Sequence, residues 1–175
     1  MVVPGGASAA VNPGGEIHYD IDVRIDPITR AIEGQSTITV TNPRELNIVL
    51  GSQFEVTQAL IDGHPLGKGR QRANQSHAWQ IPYDLRPQYH IEIHWQGELS
   101  PLDASLEHEQ TLGRPVPVSG EAGTFLPNGS SWYPRIVGGL ASYEVKLALP
   151  SGQRGLVAGR LLAESDSDQG YQAHF

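Results

Sequence analysis

From Ile17 the chain alternates without interruption: Ile17, Tyr19, Ile21, Val23 and Ile25 fall on one side of a two-residue period, and His18, Asp20, Asp22 and Arg24 on the other. Only an extended strand has that period, so this stretch is a half-buried strand with one apolar face. Asp26-Pro27 breaks it. Gly34 then opens a second run in which Ser36, Ile38 and Val40 share one face and Thr37, Thr39 and Thr41 the other. The two runs are expected to pair antiparallel across a longish loop. The 20 glycines and 13 prolines among 175 residues exceed the usual share of about 12 % for the two combined, which favours turn-rich β architecture.

The same pattern recurs in shorter pieces. Asn42-Pro43 closes the second run, Leu46 to Leu50 and Phe54 to Val56 continue it as far as Ile61, and Asp62-Gly63 is a tight-turn pair. Trp79, Ile81 and Tyr83, followed by Tyr89, Ile91, Ile93 and Trp95, predict a hairpin with Tyr83 facing Tyr89, Ile81 facing Ile91 and Trp79 facing Ile93. Residues 97–122 lose the alternation and read as a long connection with a short helical turn near 103–110. Tyr143, Val145, Leu147 and Leu149 restore it, and Pro150 to Gly152 turns the chain into a further expected strand over 155–163. Residues 1–15 read as a flexible leader and 16–175 as one antiparallel β-sandwich domain. Tyr171 to Phe175 reads as the opening of another strand, so the chain is expected to be a piece of a longer protein.

Charge and chemistry exclude several functions. A net charge of −7 opposes binding to nucleic acid or an anionic membrane surface, which require clustered Lys and Arg; the one basic group, Lys68, Arg70 and Arg72, lies in a Gly-rich connection. Without cysteine there is no disulfide, thiolate zinc site or cysteine nucleophile. The N-terminus lacks the basic and apolar regions of a signal peptide, and no apolar run reaches the ~20 residues that span a bilayer. His90-Ile-Glu92-Ile-His94 has a metal-like spacing, but on a strand those two imidazoles stand ~13 Å apart, so a solvated polar face is expected there. Glu107-His108-Glu109 carries acid and base groups in a polar loop. Ser130 and Ser131 lack the strand-turn-helix setting of a nucleophile, and the Gly63 to Lys68 segment falls one residue short of a phosphate loop. No catalytic or metal-ligating residue is expected in this chain, and no cofactor of its own.

One stretch escapes the alternation. Gly123-Thr-Phe-Leu-Pro-Asn-Gly-Ser-Ser-Trp-Tyr-Pro134 concentrates three aromatics, two prolines and two glycines without a charge. Pro127 and Pro134 fix φ and remove donors, Gly129 permits a positive φ, and Asn128-Gly129 is a turn pair, so a bent path anchored by Phe125, Trp132 and Tyr133 is expected. Asn128, Trp132 and Tyr133 are the candidate cleft-edge residues. Trp79 and Trp95, in phase with Ile81 and Ile93, read as core.

The run from His18 to Asn42, H-Y-D-I-D-V-R-I-D-P-I-T-R-A-I-E-G-Q-S-T-I-T-V-T-N, resembles the opening of the N-terminal domain of zinc metallopeptidases of the membrane alanyl aminopeptidase family. The later G-T-F-L-P-N-G-S-S-W-Y-P, followed by A-S-Y-E-V-K-L-A-L-P-S-G, is similar to a bacterial branch of that family. The resemblance implies a saddle-shaped, all-β sandwich that packs on a thermolysin-like catalytic domain of the same parent chain and helps to bound the peptide substrate site. It implies zinc in that following domain, bound by H-E-x-x-H with a distant Glu beside a G-x-M-E-N motif, neither of which occurs here. Where many members carry a T-Q-F-E-type segment, this chain has Leu126-Pro127-Asn128-Gly129. The alternative from another class is a stand-alone β-sandwich module that binds protein or carbohydrate through a sheet face.

Overall fold

The alternating run forms strand β1 (Ile17–Asp26), which pairs antiparallel with β2 (Ala31–Thr41) in a computed structural model describing residues 15–71, 77–82, 84–103 and 116–175. The connection is tighter than expected. β2 begins at Ala31, three residues before Gly34, and the turn is held by the Asp26 carboxylate accepting from Ile28 N–H at 2.9 Å, with Arg30 in a left-handed conformation. Gly15 is already docked, its N–H donating to the Asn42 carbonyl at 3.1 Å; residues 1–14 of the expected leader lie outside the described residues.

Thirteen further strands follow: β3 (Leu46–Leu50), β4 (Phe54–Ile61), β5 (His64–Pro65), β6 (Arg70–Gln71), β7 (His77–Ile81), β8 (Gln88–Glu98), β9 (Ser100–Pro101), β10 (Val118–Gly120), β11 (Gly123–Phe125), β12 (Arg135–Ile136), β13 (Ala141–Leu149), β14 (Ala163–Ser167) and β15 (Gly170–His174). They make an eight-stranded sheet ordered β14-β15-β13-β1-β2-β8-β4-β5, a four-stranded sheet β12-β3-β7-β6 and a three-stranded sheet β11-β10-β9. Pairing is antiparallel except for β1 with β13 and β10 with β9. The inward faces of the two larger sheets share one core, in which Ile38, Ile48, Ile91, Ile93 and Trp95 are essentially inaccessible to solvent. The protein is thus an all-β sandwich, because period-two alternation gives each sheet a single apolar face that needs covering.

Two expected elements differ. The hairpin joining Trp79 and Ile81 to Ile91 and Ile93 is not formed. β7 pairs with β3, placing Leu46 opposite Ile81 and Ile48 opposite Trp79, whereas β8 lies between β2 and β4, with Ile91 opposite Ile38. The two runs belong to opposite sheets and meet through the core; Tyr83 lies outside the described residues. Their connection is clamped at its end. Asp84 accepts from Arg86 Nε at 2.6 Å and from the Tyr89 hydroxyl at 2.5 Å, Arg86 also reaches Asp62, and its guanidinium lies 4.6 Å over the Tyr89 ring. Those contacts, Arg86 first and Tyr89 second, hold the Asp84 carboxyl far below the ordinary range.

The second difference is at 155–162, which runs as an irregular strap; the strand begins only at Ala163. Gly155 passes so close to the sheet that a Cβ there would lie 2.0 Å from Leu147 Cδ2, leaving no room for a ladder side chain. The strand expected at Tyr171 forms as β15, which pairs with β13 on one side and β14 on the other, and Phe175 continues the pairing with Val145. Most of the helical turn expected near 103–110 falls at 104–110, outside the described residues.

Candidate functional site

The charge-free stretch enters as β11, whose Gly123 has φ 143 and closes a two-residue turn against Gly120. Thr124 is tied to Ser119 by a hydroxyl contact of 2.6 Å. Pro127 keeps extended geometry and starts a single 3-10 turn over Asn128–Ser130; the Pro127 carbonyl accepts from both Ser130 N–H (3.0 Å) and Ser130 Oγ (2.7 Å). The left-handed residue expected at Gly129 is instead Ser131, at φ 50. A non-glycine in that region costs of order 1 kcal/mol and persists only when neighbours enforce it. Here Gly51 N–H donates to the Ser131 carbonyl at 2.8 Å, tying the bend to the end of β3.

After Ser131 the chain turns inward. The Trp132 and Tyr133 rings meet edge to face with centroids 4.8 Å apart, and Tyr133 meets Tyr19 in the same manner at 5.6 Å. Both Trp132 and Tyr133 are half-buried, Asn128 is exposed, and the Tyr133 hydroxyl lies 3.5 Å from Asn128 Oδ1. The three candidate residues therefore form one cluster, the rim of the bend.

Two residues that the sequence reading did not single out complete it. Tyr19 reaches from β1 across the core, and its hydroxyl oxygen accepts from Ile136 N–H at 2.8 Å, so the large sheet fixes the point where the bend rejoins the small one. Burial pushes the Tyr19 hydroxyl up to about 12, and burial also raises Tyr133, so both stay neutral well past physiological pH. The second is Arg135, close enough to influence both phenols. Its Nε is buried with no hydrogen-bond partner, and among the described residues no carboxylate forms an ion pair with it. A Tyr in phase with Ile17 and Ile21 was the available signal for the first, since a buried phenol requires a partner. The rim offers an amide, an indole, one phenol and a guanidinium, with the Tyr19 phenol buried behind them. It can hold and orient a group, and it contains no nucleophile paired with a base.

The other sequence candidates stay apart. His90, Glu92 and His94 stand on the solvent side of β8. His94 lies 2.5 Å from Glu92, and His90 contacts Thr39 across the sheet at 3.4 Å. Among the described residues no three His, Cys, Asp or Glu groups lie where they could hold a metal ion, so these residues do not fit zinc. His77 donates to the Phe54 carbonyl at 2.8 Å, and the glycine segment near Lys68 is closed by Trp79 Nε1 donating to the Gly67 carbonyl at 2.9 Å. Arg72 and the 107–109 group lie outside the described residues. An open hollow of about 740 Å³ covers the polar face of the eight-stranded sheet, where cross-strand register lines up His174, Lys146, Asp22, Gln35 and His94.

No protein-family model matches this sequence, and no curated protein matches it. Solved structures do. A mutant M1 zinc metallopeptidase of Deinococcus radiodurans superposes with a TM-score of 0.68 at 17 % identity, covering 93 % of this chain and 38 % of that one. A two-domain M1 zinc metallopeptidase bound to L-arginine gives 0.64 at 20 % identity, covering 93 % and 39 %. Yeast LTA4 hydrolase in complex with bestatin gives 0.54 at 14 % identity, covering 98 % and 28 %. The chain thus spans about two fifths of the length of the first two and less of the third. At such identities the likeness is one of fold, and the fold of this chain is the β-sandwich found within M1 zinc metallopeptidases.

Proposed function

We propose that this chain is the non-catalytic N-terminal domain of a zinc aminopeptidase-like protein of a bacterial branch, with residues 1–15 as leader and 16–175 as the domain. A thermolysin-like domain of the same parent carries the zinc and cleaves the peptide. This chain packs on it, and Asn128, Trp132 and Tyr133 edge the substrate site. The observation that carries the reading is the fold likeness itself, which takes in 93 % of this chain yet only 38–39 % of M1 peptidases, one of them described as two-domain. The charge-free, strained bend supplies the second half of the argument. Its backbone is fixed at both ends, by Gly51 and by Tyr19, as an edge that must hold a peptide in place requires. A free-standing carbohydrate module would need aromatic rings on an open sheet face, whereas Trp79 and Trp95 are buried and the open face is lined by His, Asp, Lys and Gln.

The test is to read the gene past the codon for Phe175 and assay the longer product. An open frame encoding G-x-M-E-N and H-E-x-x-H, with zinc-dependent removal of N-terminal residues and a KM raised several-fold by Asn128→Ala or Trp132→Ala, is the expected result. A frame that ends there, or continues without those motifs, overturns the proposal.

A further inference from the structure

We infer that the flank formed by Trp132, Tyr133, Tyr143 and the 153–162 strap is the surface covered by the second domain of the parent chain, an inference that rests on the function proposed above. The argument starts with phase. Tyr143, Val145 and Leu147 point to the same side of β13, yet Val145 and Leu147 are buried while Tyr143 remains 43 % exposed. The four-stranded sheet therefore does not extend over this end of the inner face. The strap covers only part of the gap. Gly155 lies against Leu147, Val157 packs on the core, and the Ala158 carbonyl accepts from the Tyr143 hydroxyl. With those contacts turned inward, Leu156 faces outward at 94 % exposure, and Leu161 and Leu162 are about half exposed.

This apolar flank continues into the rim. Tyr133 lies near enough to Tyr143 for the two phenols to affect each other, and Trp132 meets the Tyr133 ring edge to face. Ordered leucines left in water beside aromatic rings mark an interaction surface. The polar hollow on the opposite face, with Asp22, Lys146 and His174, is a poor packing surface by comparison. Arg135 at the border is half-buried and, among the described residues, in no ion pair with a carboxylate.

The occupant is a tethered domain rather than a second copy of this chain. A stable dimer takes roughly 20–30 residues from each partner, more than Trp132, Tyr133, Tyr143 and the strap supply. A covalently linked domain acts at an effective concentration of order millimolar, and a modest patch then suffices. The two-domain chains with this fold are about two and a half times longer, which provides such a partner.

Amide exchange measured on the 175-residue chain and on the longer natural product tests this. Residues 155–162 are expected to exchange at least about tenfold more slowly in the longer protein. Leu156→Asp with Leu161→Asp should lower the melting temperature of the longer protein and leave that of the 175-residue chain unchanged, because both side chains are exposed in it. Unchanged exchange over the strap, protection confined to the polar sheet face, or self-association of the short chain that the double substitution abolishes would each overturn the inference while leaving an active zinc domain, and so the proposed function, standing. A gene with no second domain removes both together.

Discussion

Replacing Tyr19 by Phe removes one oxygen atom and isolates the link between the two sheets. The ring keeps its edge-to-face contact with Tyr133 at 5.6 Å, but the Ile136 N–H loses the acceptor it holds at 2.8 Å, in a place where both residues are only 4 % exposed. Leaving a buried donor unpaired costs about 1–3 kcal/mol. With a urea m-value of about 2 kcal/mol/M, a loss of about 2 kcal/mol moves the unfolding midpoint down by about 1 M. The pH dependence gives an independent check. The hydroxyl is raised from 10.0 to about 12 in the folded protein, chiefly by burial. A raised group contributes stability that is complete below its unfolded pKa and is lost as pH climbs to the folded one, here between pH 10 and about 12. Two pKa units correspond to roughly 3 kcal/mol. The gap between wild type and Tyr19→Phe should therefore be constant up to pH 10 and close above it. Urea unfolding followed by tryptophan fluorescence at several pH values measures this. A midpoint shift below about 0.3 M at neutral pH refutes the assignment of Tyr19 as the acceptor for Ile136, and a gap that stays constant to pH 12 refutes the burial of its hydroxyl.

Gly34→Ala places a methyl 2.3 Å from Trp95 Cζ2 under an indole that is 1 % exposed; a loss of about 1–3 kcal/mol in urea unfolding is expected, and a neutral result would mean the indole can tilt. Asp84→Asn tests the clamp. Because the Asp84 carboxyl is held low by Arg86 and Tyr89, its contribution is present above the ordinary carboxylate range and is lost as pH falls, so the midpoints of the two proteins should converge below about pH 4 and separate above it. Added zinc should leave the melting temperature of the 175-residue chain unchanged. A rise that His90→Ala or His94→Ala abolishes would show that imidazoles ~13 Å apart along a strand can be brought to one ion.

The β1–β2 pair was legible because its apolar residues keep phase over ten positions and its partner follows at once in the chain. The same reasoning failed for Trp79 and Ile81, and the failure is physical: alternation states which face is buried and is silent on which strand lies alongside. Ile81 satisfies its face as well beside Leu46, in the other sheet, as beside Ile91. β4 was read only as a short piece continuing to Ile61, since the register shift between Val56 and Gln58 breaks its period. At the bend, Asn128, Trp132 and Tyr133 are brought together by contacts of the Tyr133 ring and hydroxyl. Arg135 and the strain at Ser131 arise from backbone docking to Gly51 and β3, contacts between segments some eighty residues apart, and no local pattern encodes them.

The parallel junction between β1 and β13 has a consequence for how the molecule is made. It alone joins the β2-β8-β4-β5 half of the large sheet to the β13-β15-β14 half, and it brings residue 17 beside residue 141. On the ribosome β1 can pair with β2 as soon as both have emerged, but its other edge has no partner until about a hundred further residues have followed. Such long-range closure is slow, and the open edge is a template for the wrong strand in the interval. Asp20, Asp22 and Arg24 on the outward face of that strand are charges of the kind that oppose wrong pairing at a waiting edge.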